Sequence, residues 1–124
     1  MQKPIFAVFL DLDGTLMVQN KIPPENRAAI RTVRSRGHLV FLNTGRSMAC
    51  IPPHVTQNIE FDGIVAGMGS HITCRDKVLR SVVISLPLLQ EVTEYFNQKQ
   101  YPCIYEGEDR MIYARLTAPP TMPN

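Results

Sequence analysis

IFAVFLDLDGT, residues 5–15, is the stretch that decides the fold. Residues 5–10 form an unbroken apolar, β-favouring run, the pattern of a strand buried on both faces of a parallel sheet. The run stops at Asp11, and Gly14 supplies a turn. Outward from there, residues 16–22 are mixed in character and suit a small hairpin, and Pro23 and Pro24 offer the first turn of a helix. Ala29, Ile30 and Val33 mark one apolar stripe of that helix, and Gly37 stands just past its end. Residues 39–42 are a second buried-strand run, closed by Asn43, Thr44 and Gly45. Strand, helix and strand are spelled out in about forty residues, the signature of a crossover in a parallel α/β sheet.

Further along, residues 47–59 start as a helix that Pro52 and Pro53 must end or kink. Residues 63–66 read as a third short buried strand, followed by Gly67, Met68 and Gly69 as a flexible joint. Residues 71–74 and 78–84, around a turn at Asp76 and Lys77, read as an antiparallel hairpin. Leu88, Leu89, Val92, Tyr95 and Phe96 recur at three- and four-residue steps, which predicts an amphipathic helix over residues 87–100. Residues 103–105 and 111–115 suit two more strands around the acidic turn at residues 106–109. The end of the chain, with Pro119, Pro120 and Pro123, has no periodicity. The predicted organisation is therefore residues 1–66, residues 67–116 and a loose tail over 117–124.

The bulk composition narrows the possibilities. The chain has 124 residues, 19% charged and 44% hydrophobic, with a net charge of +2, which is the usage of a soluble globular protein of one domain or one plus part of another. Arg27, Arg31, Arg34 and Arg36 are the only dense basic run, and there is no Trp. Nucleic acid, which calls for a broad basic face with interleaved aromatics, is not an expected partner. Cys50, Cys74 and Cys103 contain no C-x-x-C pair, so neither a disulfide framework nor a zinc site is predicted. A reduced, cytoplasmic location fits. No run approaches the roughly 18 apolar residues of a membrane span, and the opening run is too short for a signal sequence.

Ligands in open α/β sheets bind at the carboxyl ends of strands, and the two most polar segments stand there: DLDGT after the first strand, NTGR after the second. Side chains alternate in extended backbone, so Asp11 and Asp13 point into one crevice. Two carboxylates there suit a hard divalent cation such as Mg2+, which binds through one or two carboxylates and substrate phosphate oxygens. Asp11 is then the candidate nucleophile toward phosphorus and Asp13 the acid and base that serves the leaving oxygen and the water. The backbone around Leu12 and Gly14, the Thr44 hydroxyl, the Gly45 amide and Arg46 are the candidate phosphate-holding groups. A plain polar turn is the bland reading of D-x-D-G. A calcium loop fits poorly, because Gly14 comes too early and its twelfth residue is Ile22. His38, His54 and His71 are scattered and predict no metal cluster.

FLDLDGTL (9–16) and LNTGR (42–46) resemble the first and second motifs of the haloacid dehalogenase superfamily, and the order of the segment between them resembles its Cof-like phosphatases. The resemblance implies a Rossmann-like parallel sheet core, incomplete here, followed from about residue 67 by the beginning of a mobile α/β cap. It implies magnesium, and sugar phosphates or other small phosphorylated metabolites as substrates. It makes Asp11 the nucleophile and a metal ligand, Asp13 the general acid and base whose backbone carbonyl also meets the metal, and Thr44 the phosphate threonine. Two departures stand out. Met68 and Gly69 occupy the place where an Asn-Gly is common, and the family's later lysine and acidic pair are not found: Lys99 lies in the presumed cap helix, and Glu106, Glu108 and Asp109 sit in a turn with no core strand before it.

The resemblance thus implies a truncated phosphohydrolase, weakly active or inactive alone, with exposed apolar surface available for association. The alternative is a catalytically dead remnant that binds ions or phosphate or serves as an interaction module. Phosphoryl transfer of the ion-pump kind is disfavoured by Asp13, because an acyl phosphate needs no alkoxide protonation.

Overall fold

The computed structural model of the chain describes residues 3–114. The tail predicted over 117–124, and the ends of the second region and of the last strand, lie outside these residues. The first strand, β1 (Ala7–Leu10), is followed by helix α1 (Pro24–Ser35), strand β2 (Leu39–Asn43), a 3-10 turn (Met48–Cys50), helix α2 (Pro53–Asn58) and strand β3 (Gly63–Ala66). A second 3-10 turn (Gly67–Gly69) leads to strands β4 (His71–Cys74) and β5 (Lys77–Ser81), helix α3 (Leu86–Gln98) and strands β6 (Cys103–Glu106) and β7 (Met111–Ala114). β1 to β5 lie in sequence order in one mixed sheet, while β6 and β7 form a separate pair. β1–β2 and β2–β3 are parallel, and β3–β4 and β4–β5 antiparallel.

The local reasons for these elements are legible. Pro24 opens α1 with its fixed φ. Gly37, at φ +86°, ends the helix: its amide bonds the Arg34 carbonyl at 2.9 Å and the His38 amide bonds Val33 at 3.4 Å, the paired bonds of a Schellman cap. Residues 16–22 do make a small hairpin. Val18 and Lys21 exchange backbone bonds of 2.9 and 3.0 Å, and Gln19 and Asn20 both have positive φ, as the twist-matched two-residue turn requires. The predicted helix after Ser47 is split by its prolines into a three-residue 3-10 turn and the short α2.

The core lies between one face of the sheet and the helices. Val40, Leu42 and Ala66 from the sheet meet Ile30 of α1, Ile51, Val55 and Ile59 from the α2 region, and Leu12, Leu16, Met17 and Ile22 from the segment after β1. Burying each such Leu, Ile or Val is worth about 1.5–3 kcal/mol. The stripe of α1 is Ile30 and Val33; Ala29, predicted to share it, is exposed.

One expectation is corrected. β1 is not buried on both faces: it is an edge strand whose only ladder among the described residues is with β2, and Ile5, Phe6 and Phe9 are more than half exposed. Helices cover the side carrying Val8 and Leu10, while on the other side Phe9 stacks on Phe41 with centroids 4.9 Å apart.

Past the 3-10 turn at Gly67–Gly69 the hairpin β4–β5 extends the same sheet, and the chain leaves it at α3. α3 is tied to β6 by a 2.8 Å hydrogen bond between the Thr93 hydroxyl and the Tyr105 phenol. None of its residues is buried. The β6–β7 turn reaches back to the main sheet, where Glu108 lies 3.8 Å from His71 Nε2. No helix is long and apolar enough to cross a membrane among the described residues.

Candidate active site

β1 and β2 run in parallel with Leu10 beside Leu42, so the DLDGT and NTGR segments leave the sheet side by side at its carboxyl end. Alternation continues past the strand: Leu12 is fully buried, whereas Asp11 and Asp13 are exposed. The loop is braced by its own backbone, with Leu16 and Met17 amides bonding the Asp11 and Leu12 carbonyls at 3.2 and 2.8 Å, and Gly14 bonding Met17 at 2.9 Å. Gly14 adopts φ +79°, and a Cβ there would touch nothing within 4 Å. Glycine is therefore required by the backbone angle and not by space.

Each predicted residue can now be located. Asp11 Oδ2 accepts the Thr15 hydroxyl at 3.2 Å. Thr44 is 4% exposed; its amide bonds the Val65 carbonyl at 2.8 Å, and its Oγ1 accepts the Arg46 amide at 3.1 Å, which leaves its hydroxyl proton to donate elsewhere. Gly45 is exposed beside Met68. Arg46 is already paired: Nη2 and Nε donate to the two oxygens of Asp13 at 2.7 and 2.8 Å, and Nη1 donates to the Cys50 carbonyl at 3.0 Å. The Arg46 fork holds the Asp13 carboxyl below the usual carboxylate range, against a smaller opposing effect of burial, and Asp13 in turn raises the arginine. This pairing joins residues 33 apart in sequence. No local signal announced it, beyond the fact that both stand at strand ends.

The second loop is secured from the far side. Arg46 O accepts the Gly67 amide at 2.7 Å and Thr44 O the Met68 amide at 3.4 Å. Met68, 91% exposed, is held at φ +54°, an angle that costs a non-glycine residue about 1–2 kcal/mol.

Among the described residues no group of three His, Cys, Asp or Glu side chains is placed to hold a metal ion. Asp11 keeps one oxygen uncommitted, while both oxygens of Asp13 meet Arg46. Such a donor set suits a cation that takes one or two protein oxygens and keeps water and phosphate for the rest, which is the habit of magnesium.

A mixed sheet whose parallel strands β1 to β3 carry polar loops at their carboxyl ends has the layout of an open α/β ligand-binding core. Residues 8–119 match the family model of the haloacid dehalogenase-like hydrolases, and the chain belongs to that family. It is 22% identical to the Bacillus subtilis protein YkrA, assigned as a phosphatase, over 105 residues covering 84% of this chain. A protein of Geobacillus kaustophilus superposes with a TM-score of 0.84 at 24% identity over 94% of this chain, showing the shared fold. BT4131, described as a subclass IIB sugar phosphatase of the same superfamily, is similar at 26% identity with a TM-score of 0.69 over 85% of this chain. The chain spans less than half of these relatives: 40% of YkrA, 45% of the Geobacillus protein and 42% of BT4131.

Proposed function

We propose that the chain carries the phosphoryl-accepting part of a magnesium-dependent phosphohydrolase of small phosphorylated metabolites. The observation that supports it most is the parallel pairing of β1 with β2, Leu10 beside Leu42, from whose carboxyl ends the segments carrying Asp11, Asp13 and Thr44 both leave. In this reading Asp11 attacks phosphorus, the ester P–O bond breaks, and the departing oxygen takes a proton from Asp13, one of whose oxygens must leave Arg46 to carry that proton. Asp13 then draws a proton from water, whose oxygen attacks the aspartyl-phosphate and releases orthophosphate and the Asp11 carboxylate. Thr44 donates its hydroxyl to a nonbridging oxygen, and the backbone around Leu12, Gly14 and Gly45 completes the cradle. Asp11 and the Asp13 carbonyl would hold magnesium, whose charge offsets the repulsion between phosphate and carboxylate. α3 and β6–β7 are read as the start of the cap, within residues 67–116. Sugar phosphates are the substrate class favoured by the similarity to BT4131.

A second reading, an ion- or phosphate-binding module without turnover, is favoured by the commitment of Asp13 to Arg46. Phosphate release from an aryl phosphate, measured with magnesium for the wild type and Asp11→Asn, tests the assignment. A rate lost in the variant supports it; equal rates in both remove Asp11 as nucleophile.

A further inference from the structure

We infer that Arg46 is a positioning residue that acts through Asp13, clamping the first active-site loop to the second, and is not itself a phosphate ligand. The inference rests on the site reading above, but it concerns contacts complete within this chain. Three guanidinium donors are committed: two parallel bonds to the Asp13 carboxylate and one to the Cys50 carbonyl. Paired bonds of this kind fix orientation as well as distance, because the planar fork matches the carboxylate. The arginine is itself anchored. Its amide is bonded to Thr44 Oγ1 and its carbonyl to the Gly67 amide, so the fork hangs from a backbone fixed on both sides. Asp13, by contrast, sits on a loop that leaves an edge strand and has one ladder neighbour. Its carboxylate is about half exposed and would otherwise sample several rotamers. The fork thus couples an exposed side chain on the first loop to an arginine anchored on the second, and fixes the rotamer of the Asp13 carboxylate.

The same contacts explain why a lysine would not replace this arginine. A point charge can neutralise Asp13 but cannot fix its plane and also reach the Cys50 carbonyl.

The test is amide hydrogen exchange on the full chain. The Gly14 and Met17 amides, which brace the DLDGT loop, report on the clamp; the Val40 amide, bonded to Asp62 in the sheet, is the control. In Arg46→Met the loop amides should exchange about tenfold faster, as expected for local opening, with Val40 unchanged. Arg46→Lys should not restore protection. Asp13→Asn should reproduce the loss, and the double variant should add nothing, since coupled residues are not additive. In parallel, titration with orthophosphate and magnesium should leave the Arg46 Nε–H resonance in place, whereas Asp13→Asn should move it. Unchanged loop exchange in Arg46→Met, additive losses in the double variant, or an Nε–H signal that follows phosphate would overturn the inference. Absence of any phosphate binding would count against the proposed function alone, because the exchange arm needs no ligand.

Discussion

Removing the Asp62 carboxylate should be the most costly change of charge in the described structure, and its cost can be worked out bond by bond. Asp62 stands just before β3 with its side chain 14% exposed. Its Oδ2 accepts the Val40 amide at 2.8 Å, and its two oxygens accept Arg34 Nε and Nη2 at 3.2 and 3.3 Å. A backbone amide bonded to a charged acceptor is worth about 1.5–3 kcal/mol, and a partly exposed ion pair such as that with Arg34 about 0.2–1 kcal/mol. Asp62→Ala should therefore cost about 2–4 kcal/mol. Glu60, which shares Arg34 but is 87% exposed, should cost less than about 0.5 kcal/mol when replaced by Ala. Burial pushes the Asp62 carboxyl up, but the Val40 amide and Arg34 more than offset this and leave it lowered. A lowered value means a contribution that is full above the ordinary carboxylate pKa of about 4 and lost as pH falls through the folded value. Urea unfolding at pH 7 and again below pH 4 measures both effects. The gap between wild type and Asp62→Ala should close in acid. Equal costs for Asp62→Ala and Glu60→Ala, or a gap unaffected by pH, would mean that the Asp62 carboxylate does not anchor Val40 and Arg34.

Two further substitutions probe backbone geometry. Gly63→Ala should cost more than about 3 kcal/mol or prevent folding, because an added Cβ meets the Thr73 carbonyl and the Phe41 ring, at 2.7 Å from Cε1; thermal unfolding or expression yield reads the outcome. Met68→Asn should stabilise by about 0.5–1 kcal/mol, since asparagine tolerates the left-handed angle that Met68 adopts; urea midpoints check it.

Local chemistry made much of this fold readable. The apolar runs of β1 and β2, the proline start of α1 and the Gly37 cap are each decided by a few neighbouring residues, and they appear where those residues place them. What an apolar run cannot tell is how many neighbours a strand has. β1 reads as central because of its composition, yet it is an edge strand with Phe6 and Phe9 exposed. In the same way, nothing within the hairpin of β4 and β5 says that β4 pairs with β3, because that pairing is set by packing across the Gly67–Gly69 turn. At the site, the alternation of Asp11, Leu12 and Asp13 was legible from strand geometry. The partner of Asp13 was not. Arg46 looks the same in sequence whether its fork faces a carboxylate or solvent. The anchoring role of Asp62 was equally hidden, since a lone aspartate before a glycine reads as a turn.

Whether the two strand-end loops form one anion site is read from backbone amide resonances followed while orthophosphate is added with magnesium. Shifts confined to residues 11–15 and 44–46, saturating together and weakened in Thr44→Val, are predicted. Shifts on only one of the two loops, or centred on the Arg31 and Arg34 face of α1 at the other end of the sheet, would contradict it.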